Sequence, residues 1–121
     1  MDNQGQESGT QQQKWEADSP ALAGISGRAR LMVGDEGLGV LVVDDGHVSL
    51  APDGGPVDVT IVCASRDDLV KLLRGELHPV VAALRGQVRQ TGGDRAFGVK
   101  VVLGLRAGSP FVHTPFDGKD A

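Results

Sequence analysis

The residues able to do chemistry in this sequence are few and lie far apart. The histidines are His47, His78 and His113, and the single cysteine is Cys63. A zinc site requires closely spaced pairs of such ligands, and the sequence contains no Cys-x-x-Cys or His-x-x-x-His pair. Cys63 lies in an apolar stretch typical of a strand, which favours a buried, unreactive thiol over a nucleophile. We therefore expect no metal ion, no cofactor and no catalytic residue.

Two further patterns that can carry chemistry have structural explanations. Asp44 and Asp45 form a pair of carboxylates, but Asp45-Gly46 is also a strong signal for a two-residue β-hairpin turn. The 18 glycines contain no Gly-x-Gly-x-x-Gly series between a strand and a helix, as a dinucleotide site requires. The sequence predicts neither an acid–base pair nor a nucleotide site.

The composition limits the kinds of ligand and compartment. The chain of 121 residues is long enough for one domain with its own core. Hydrophobic residues make up 40% of it but aromatic residues only 3%, so aliphatic side chains must fill the interior. With so few rings to stack on bases, we expect no nucleic-acid binding. A polar start, one cysteine and the lack of a long apolar run lead us to expect a cytoplasmic protein.

The net charge of −4 conceals an uneven distribution of charged residues. Residues 35–58 carry six acidic groups and no Lys or Arg, whereas residues 85–106 carry five basic groups against Asp94 alone. Solvated faces of alternating sign explain this pattern. The less favoured alternative is that the basic stretch makes transient contact with a membrane surface or an acidic partner. Its members are Arg85, Arg89, Arg95, Lys100 and Arg106.

Both ends of the chain are predicted to be loose tails. Residues 1–23 are rich in Gln, Gly, Ser and Asp, and Trp15 is their only aromatic residue. Residues 109–121 contain two prolines and few side chains that form a core. We therefore expect the domain to span residues 24–108.

Local patterns predict an α+β fold. Alternation and turn signals predict strands at 28–33, 39–43, 47–50 and 57–63, and tight turns between them indicate an antiparallel meander. Ser65 and Asp68 have the spacing of a capping box, and Pro79 suits the first turn of a second short helix. Residues 87–91 are predicted as a fifth strand, followed by an amphipathic helix after Asp94. The expected fold is a five-stranded, largely antiparallel sheet with helices packed on one face.

Three segments in this order resemble the sterol carrier protein type 2 (SCP-2) family. Residues 58–61 resemble its Asp-x-Thr-Ile strand, 68–79 its helix with a Gly-to-Pro step, and 85–92 its Gly-x-Leu-x-Ile-x-Gly strand. The likeness extends over residues 24–108. It implies a non-catalytic, bacterial, stand-alone member that carries sterols, fatty acids, acyl-CoA or other lipids in an apolar tunnel.

The resemblance also implies that inward-facing residues line this tunnel. Gln90 is polar, whereas the family usually has an aliphatic residue at this position of the fifth strand. If it points inward, its amide needs a hydrogen-bond partner, which is either a ligand hydroxyl or carbonyl, or else backbone or water. The expected ligand-binding residues are Val59, Ile61, Leu69, Leu72, Leu73, Val80, Leu84, Val88, Gln90, Phe97, Val101, Val102 and Leu105.

Several functions remain open from the sequence. The first is binding or transfer of an apolar small molecule without catalysis. The family's long first helix has no counterpart in the polar start of this chain, which favours an interaction module that docks on a biosynthetic enzyme or forms a homodimer. A third is a tunnel that templates isomerisation or cyclisation of a polyketide- or terpenoid-like substrate. The periodic spacing of apolar residues is also compatible with a fully packed core that has no ligand cavity.

Overall fold

The structure, a computed structural model, describes residues 16–108. Its elements are β1 (Glu16–Asp18), a 3-10 turn (Pro20–Leu22), β2 (Ser26–Val33), β3 (Glu36–Asp44), β4 (His47–Ala51), β5 (Val59–Cys63), α1 (Arg66–Leu73), α2 (Pro79–Leu84), β6 (Val88–Gly93) and α3 (Arg95–Gly108). The predicted α+β class is confirmed. None of the helices in this part of the chain has the length and apolar character needed to cross a membrane.

The six strands form one mixed sheet in the order β1-β4-β3-β2-β5-β6. β2, β3 and β4 form the predicted antiparallel meander, and β6 is antiparallel to β5. β5, however, runs parallel to β2. The prediction of a five-stranded sheet with four strands in one meander is therefore wrong, both in strand number and at β5.

The connection 52–58 leads from β4 to β5, which lies on the other side of β2 and β3 in the sheet. It is held by arginine side chains of β2, which alternation places on the face away from Ala29 and Leu31 of the core. Arg30 binds the Asp53 carboxylate through Nε and Nη2 at 2.9 and 3.0 Å. Arg28 donates from Nε to the Pro56 carbonyl at 3.0 Å. These contacts hold the connection against β2 on its way to β5, whereas turn residues alone predicted that the chain returns beside β4.

The sixth strand comes from residues 16–23, which the sequence predicted as part of the N-terminal tail. Leu22 is fully buried, and it packs so closely on α3 that a Cβ on Gly104 would overlap its side chain. The buried Ser19 hydroxyl donates to the Gly104 carbonyl at 3.1 Å. This segment therefore docks on α3 in the structure. Trp15, His113 and the remainder of both predicted tails lie outside the described residues, so the expected domain boundaries stay predictions.

The core lies between the sheet and helices α1 and α3 and is aliphatic except for Phe97 and Cys63. Cys63 is part of it. Burial, with a smaller contribution from the negative charge of Asp68, raises the pKa of the Cys63 thiol to about 12. The prediction that Cys63 is buried is confirmed.

Side chains cap the three helices close to the predicted starts. The Ser65 hydroxyl accepts the backbone N–H of Asp68 at 3.1 Å, as a capping box requires. His78 Nδ1 accepts the N–H two residues along at 3.2 Å and begins α2. Asp94 Oδ1 accepts the Phe97 N–H at 3.0 Å and begins α3. His78 and Asp94 thus have structural roles at helix ends.

His47 joins β4 to β1. Its Nε2 lies 2.7 Å from Glu16 Oε1 and its Nδ1 lies 3.0 Å from Asp18 Oδ1. Only the imidazolium carries a proton on both nitrogens, so only that form donates to both carboxylates. Hydrogen bonds to Asp18 and then to Glu16 raise the pKa of His47 above its ordinary value.

We expect the attachment of β1 to weaken as the pH rises through the raised pKa of His47. A pKa raised by folding stabilises the folded state fully below the unfolded-state value of about 6.5, and this contribution is lost once the folded imidazolium deprotonates. NMR titration of the His47 ring and hydrogen-exchange protection of the β1 amides measure this. The variant His47→Asn should remove the pH dependence. The prediction is contradicted if His47 titrates at its ordinary pKa and the hydrogen-exchange protection of the β1 amides does not change with pH.

Candidate functional site

A cleft of about 590 Å³ lies between α2, β6 and α3. This volume is within the range of pockets that hold small apolar ligands. Its walls are mostly apolar side chains, and Leu84 and Val80 on the α2 side are 82% and 60% exposed, so the cleft opens to the surface there. The structure shows a cleft in this part of the chain and does not show the predicted tunnel.

The short helix α2 creates the opening. Pro79 begins this helix of six residues, and Ala82 is the only one of them that is buried. The small side chains of Ala82 and Ala83 face the cleft and leave room between α2 and the neighbouring elements. The apolar side chains of α2 are therefore left partly uncovered beside an empty volume.

The structure divides the thirteen predicted ligand-binding residues into two groups. Six line the cleft: Leu72, Val80, Leu84, Val88, Gln90 and Val102. The other seven are buried in the core at 7% exposure or less and do not line it: Val59, Ile61, Leu69, Leu73, Phe97, Val101 and Leu105. Periodicity identifies inward-facing positions, but it does not separate those covered by another element from those facing a cavity. Ligand binding by either group stays a prediction.

Sequence reasoning missed nine residues that line the cleft. They are Leu77, His78, Pro79, Ala82, Ala83, Arg89, Arg95, Val99 and Leu103. One signal was available on α3, where Val99 and Leu103 are four residues apart and form a second apolar stripe beside the buried one. Arg89 and Arg95 bring positive charge to the cleft, and no acidic residue of the described chain lines it.

Gln90 supplies an amide to this mostly apolar site. Its Oε1 is buried and has no hydrogen-bond partner in the structure. The amide packs on Gly98 of α3, where a Cβ would overlap Oε1, and this close approach accounts for a glycine inside a helix. An unpaired buried oxygen costs about 1–3 kcal/mol. Gln90 therefore faces inward with hydrogen-bonding capacity that the described residues leave unused.

The described residues provide no metal site. No group of three or more His, Cys, Asp or Glu side chains between residues 16 and 108 is arranged to hold a metal ion. His47 is engaged with Glu16 and Asp18 on the far edge of the sheet from β6. The described lining of the cleft offers a ligand apolar contact, the Gln90 amide, the His78 ring and the positive charge of Arg89 and Arg95.

Comparison with known proteins agrees with this architecture. The model of the SCP-2 sterol transfer family matches residues 9–102. A UbiJ-SCP2 ubiquinone synthesis protein is 21% identical, with 74% of this chain and 71% of that chain covered at a TM-score of 0.51. The sterol carrier protein domain 2 of Helicoverpa armigera is 22% identical, with 70% of each chain covered and a TM-score of 0.50. A crystal structure of sterol carrier protein 2 is 20% identical, with 74% and 77% covered and a TM-score of 0.51. No curated protein sequence matches, and at these identities the structures show similarity of fold alone.

Proposed function

This chain belongs to the SCP-2 sterol transfer family, and from that premise we propose that it binds or transfers an apolar lipid without catalysis. The observation that carries the proposal is the cleft between α2, β6 and α3, whose volume of about 590 Å³ is bounded mainly by aliphatic side chains. Transfer of apolar surface from water into such a site is favourable by roughly 25 cal/mol per Å². Shape and apolar contact, rather than a reactive group, are expected to select the ligand.

Gln90 further narrows the expected ligand to an apolar molecule with a hydroxyl group, because the amide atom without a partner is the acceptor Oε1. A hydroxyl both donates and accepts, so it can pair with either atom of the carboxamide that turns toward the cleft. A plain hydrocarbon leaves the amide oxygen unpaired, as it is in the structure. The unpaired Oε1 of Gln90 accepts a hydrogen bond, so it supports a lipid with a hydroxyl group, which can donate, over a hydrocarbon.

Native mass spectrometry after gentle purification, combined with titration of a fluorescent sterol or fatty acid, tests the proposed function. We expect a lipid to co-purify with the chain and the probe to bind at micromolar concentration. Absence of both a co-purifying lipid and probe binding would overturn the proposal.

The variant Gln90→Leu tests the polar contact. We expect a hydroxyl-bearing sterol probe to lose about 1–2 kcal/mol of binding free energy, or roughly five- to thirtyfold in affinity. The hydroxyl-free analogue should bind as well as before or better, because the lining becomes more apolar. Stability against urea should hold or rise, since an unpaired buried oxygen is removed. Equal weakening of both probes, or no change in either, would assign Gln90 a purely structural role.

A second candidate function is that of an accessory module for a biosynthetic enzyme. The structural similarity to a protein described as a UbiJ-SCP2 ubiquinone synthesis protein supports it. The exposed apolar side chains of α2 support it as well, because a partner enzyme or a second copy would cover them. Neighbouring biosynthetic genes and capture of the encoded enzyme by this chain test the idea. Product formation from a polyketide- or terpenoid-like substrate by the chain alone would instead favour templated cyclisation or isomerisation.

A further inference from the structure

The exposed apolar side chains of the domain are concentrated on two helices. In the described part of the chain, every large apolar residue with high exposure lies on α2 or α3: Val80, Val81, Leu84, Val99 and Leu103. Isolated exposed apolar residues are common, but a contiguous group of them marks an interaction surface. We call this group, with the residues between the two helices, the α2–α3 face.

The same face carries positive charge that no residue between 16 and 108 neutralises in an ion pair. Arg85 follows α2, Arg89 lies on β6, and Arg95 begins α3. On α3, Lys100 and Arg106 lie three residues to either side of the exposed Leu103, so helical spacing puts them next to it. None of these five cations forms an ion pair or a side-chain hydrogen bond with the described residues. The acidic residue of this stretch, Asp94, is occupied in capping α3.

We propose that the α2–α3 face docks on an anionic membrane surface. The exposed apolar side chains would enter the boundary between headgroups and acyl chains, while the unpaired cations bind lipid phosphates. Only two of the five cations, Arg89 and Arg95, line the cleft, and Arg85, Lys100 and Arg106 lie outside its lining. This spread suits a fluid charged surface, which needs no matching contour, better than an acidic protein.

Docking in this orientation turns the cleft toward the bilayer. Val80, Leu84, Val99 and Leu103 belong both to the cleft wall and to the α2–α3 face. A lipid can then pass between membrane and cleft without exposing its apolar surface to water. This transfer route rests on the proposed ligand binding, whereas docking on the membrane does not.

Flotation of the full chain with vesicles tests the docking. We expect binding to an equal mixture of phosphatidylcholine and phosphatidylglycerol, weak binding to phosphatidylcholine alone, and a decline with added salt. Arg85→Glu reverses a charge outside the cleft lining and should lower the partition coefficient roughly tenfold or more. Val81→Glu, also outside the lining, should weaken binding as well. Arg66→Glu makes the same charge change on α1, which is not one of the two helices of this face, and should leave binding intact.

Ligand titration of the same variants separates this proposal from the proposed function. Arg85→Glu and Val81→Glu should bind a fluorescent sterol like the unaltered chain, because neither residue lines the cleft. Equal binding to neutral and anionic vesicles, or equal loss with Arg66→Glu, would overturn the docking proposal. So would retention on poly-glutamate without vesicle binding, which would assign the face to an acidic protein. A dimer broken by Val81→Glu, again without vesicle binding, would assign it to a second copy of the chain and overturn the proposal too.

Discussion

Replacing Leu22 with Ala should lower the free energy of unfolding by about 2–5 kcal/mol. Leu22 is fully buried and joins the 3-10 turn to α3, where its side chain lies directly over Gly104. Removing its branched end leaves a cavity that the surrounding sheet and helix fill only in part. Urea denaturation of both proteins measures the loss as a shift in the midpoint.

Gly104→Ala provides a second, sharper measurement of the same contact. In the unaltered chain the added methyl overlaps Leu22, so we expect a loss of about 1–3 kcal/mol through overpacking. In the Leu22→Ala background the overlap is removed, and the higher helix propensity of Ala should make the same change neutral or stabilising by up to about 1 kcal/mol.

Leu103→Ala is the control for this pair, because Leu103 lies on the same helix but is exposed. We expect it to cost clearly less than Leu22→Ala. If Leu22→Ala costs no more than this control, and Gly104→Ala has the same sign in both backgrounds, residues 16–23 do not dock on α3. The domain would then begin at residue 24, as the sequence suggested.

Replacing Val99 with Trp should weaken binding of an apolar probe about tenfold or more, a loss of about 1.4 kcal/mol. Val99 lines the cleft and is 42% exposed, so an indole ring can enter the cleft without displacing the core. The indole ring would then occupy part of the volume that the ligand needs. Titration of the fluorescent sterol measures the affinity, and urea denaturation confirms that the fold is retained.

Val81→Trp is the matched control for Val99→Trp. Val81 has the same 42% exposure and also lies on a helix of this face, but it does not line the cleft. The sterol should bind this variant like the unaltered chain. If both variants bind normally, the ligand occupies another part of the domain and the cleft is not its site.

The sequence by itself determined the features that depend on neighbours a few residues away. The Asp45-Gly46 turn forms as predicted, with positive φ values of 49° and 88°, because these two residue types tolerate that conformation. The starts of α1 and α3 follow from Ser65 and Asp94, whose side chains each accept a backbone N–H three residues along. Each of these features depends on one local hydrogen bond or on the conformational preference of one or two residues. The residues responsible lie within a few positions of each other in the sequence.

Only the tertiary structure decided which strands pair and which inward side chains meet a cavity. β5 pairs in parallel with β2, and the 52–58 connection that leads to it is held by Arg30 and Arg28 of β2, a contact that no periodic pattern records. Ile61 and its β-sheet partner Gln90 stand opposite each other, yet Ile61 is in the core and Gln90 lines the cleft. The difference depends on where α2 and α3 lie above the sheet. The positions of α2 and α3 above the sheet result from contacts between segments that are far apart in the chain. The spacing of residue types within one segment does not predict those contacts.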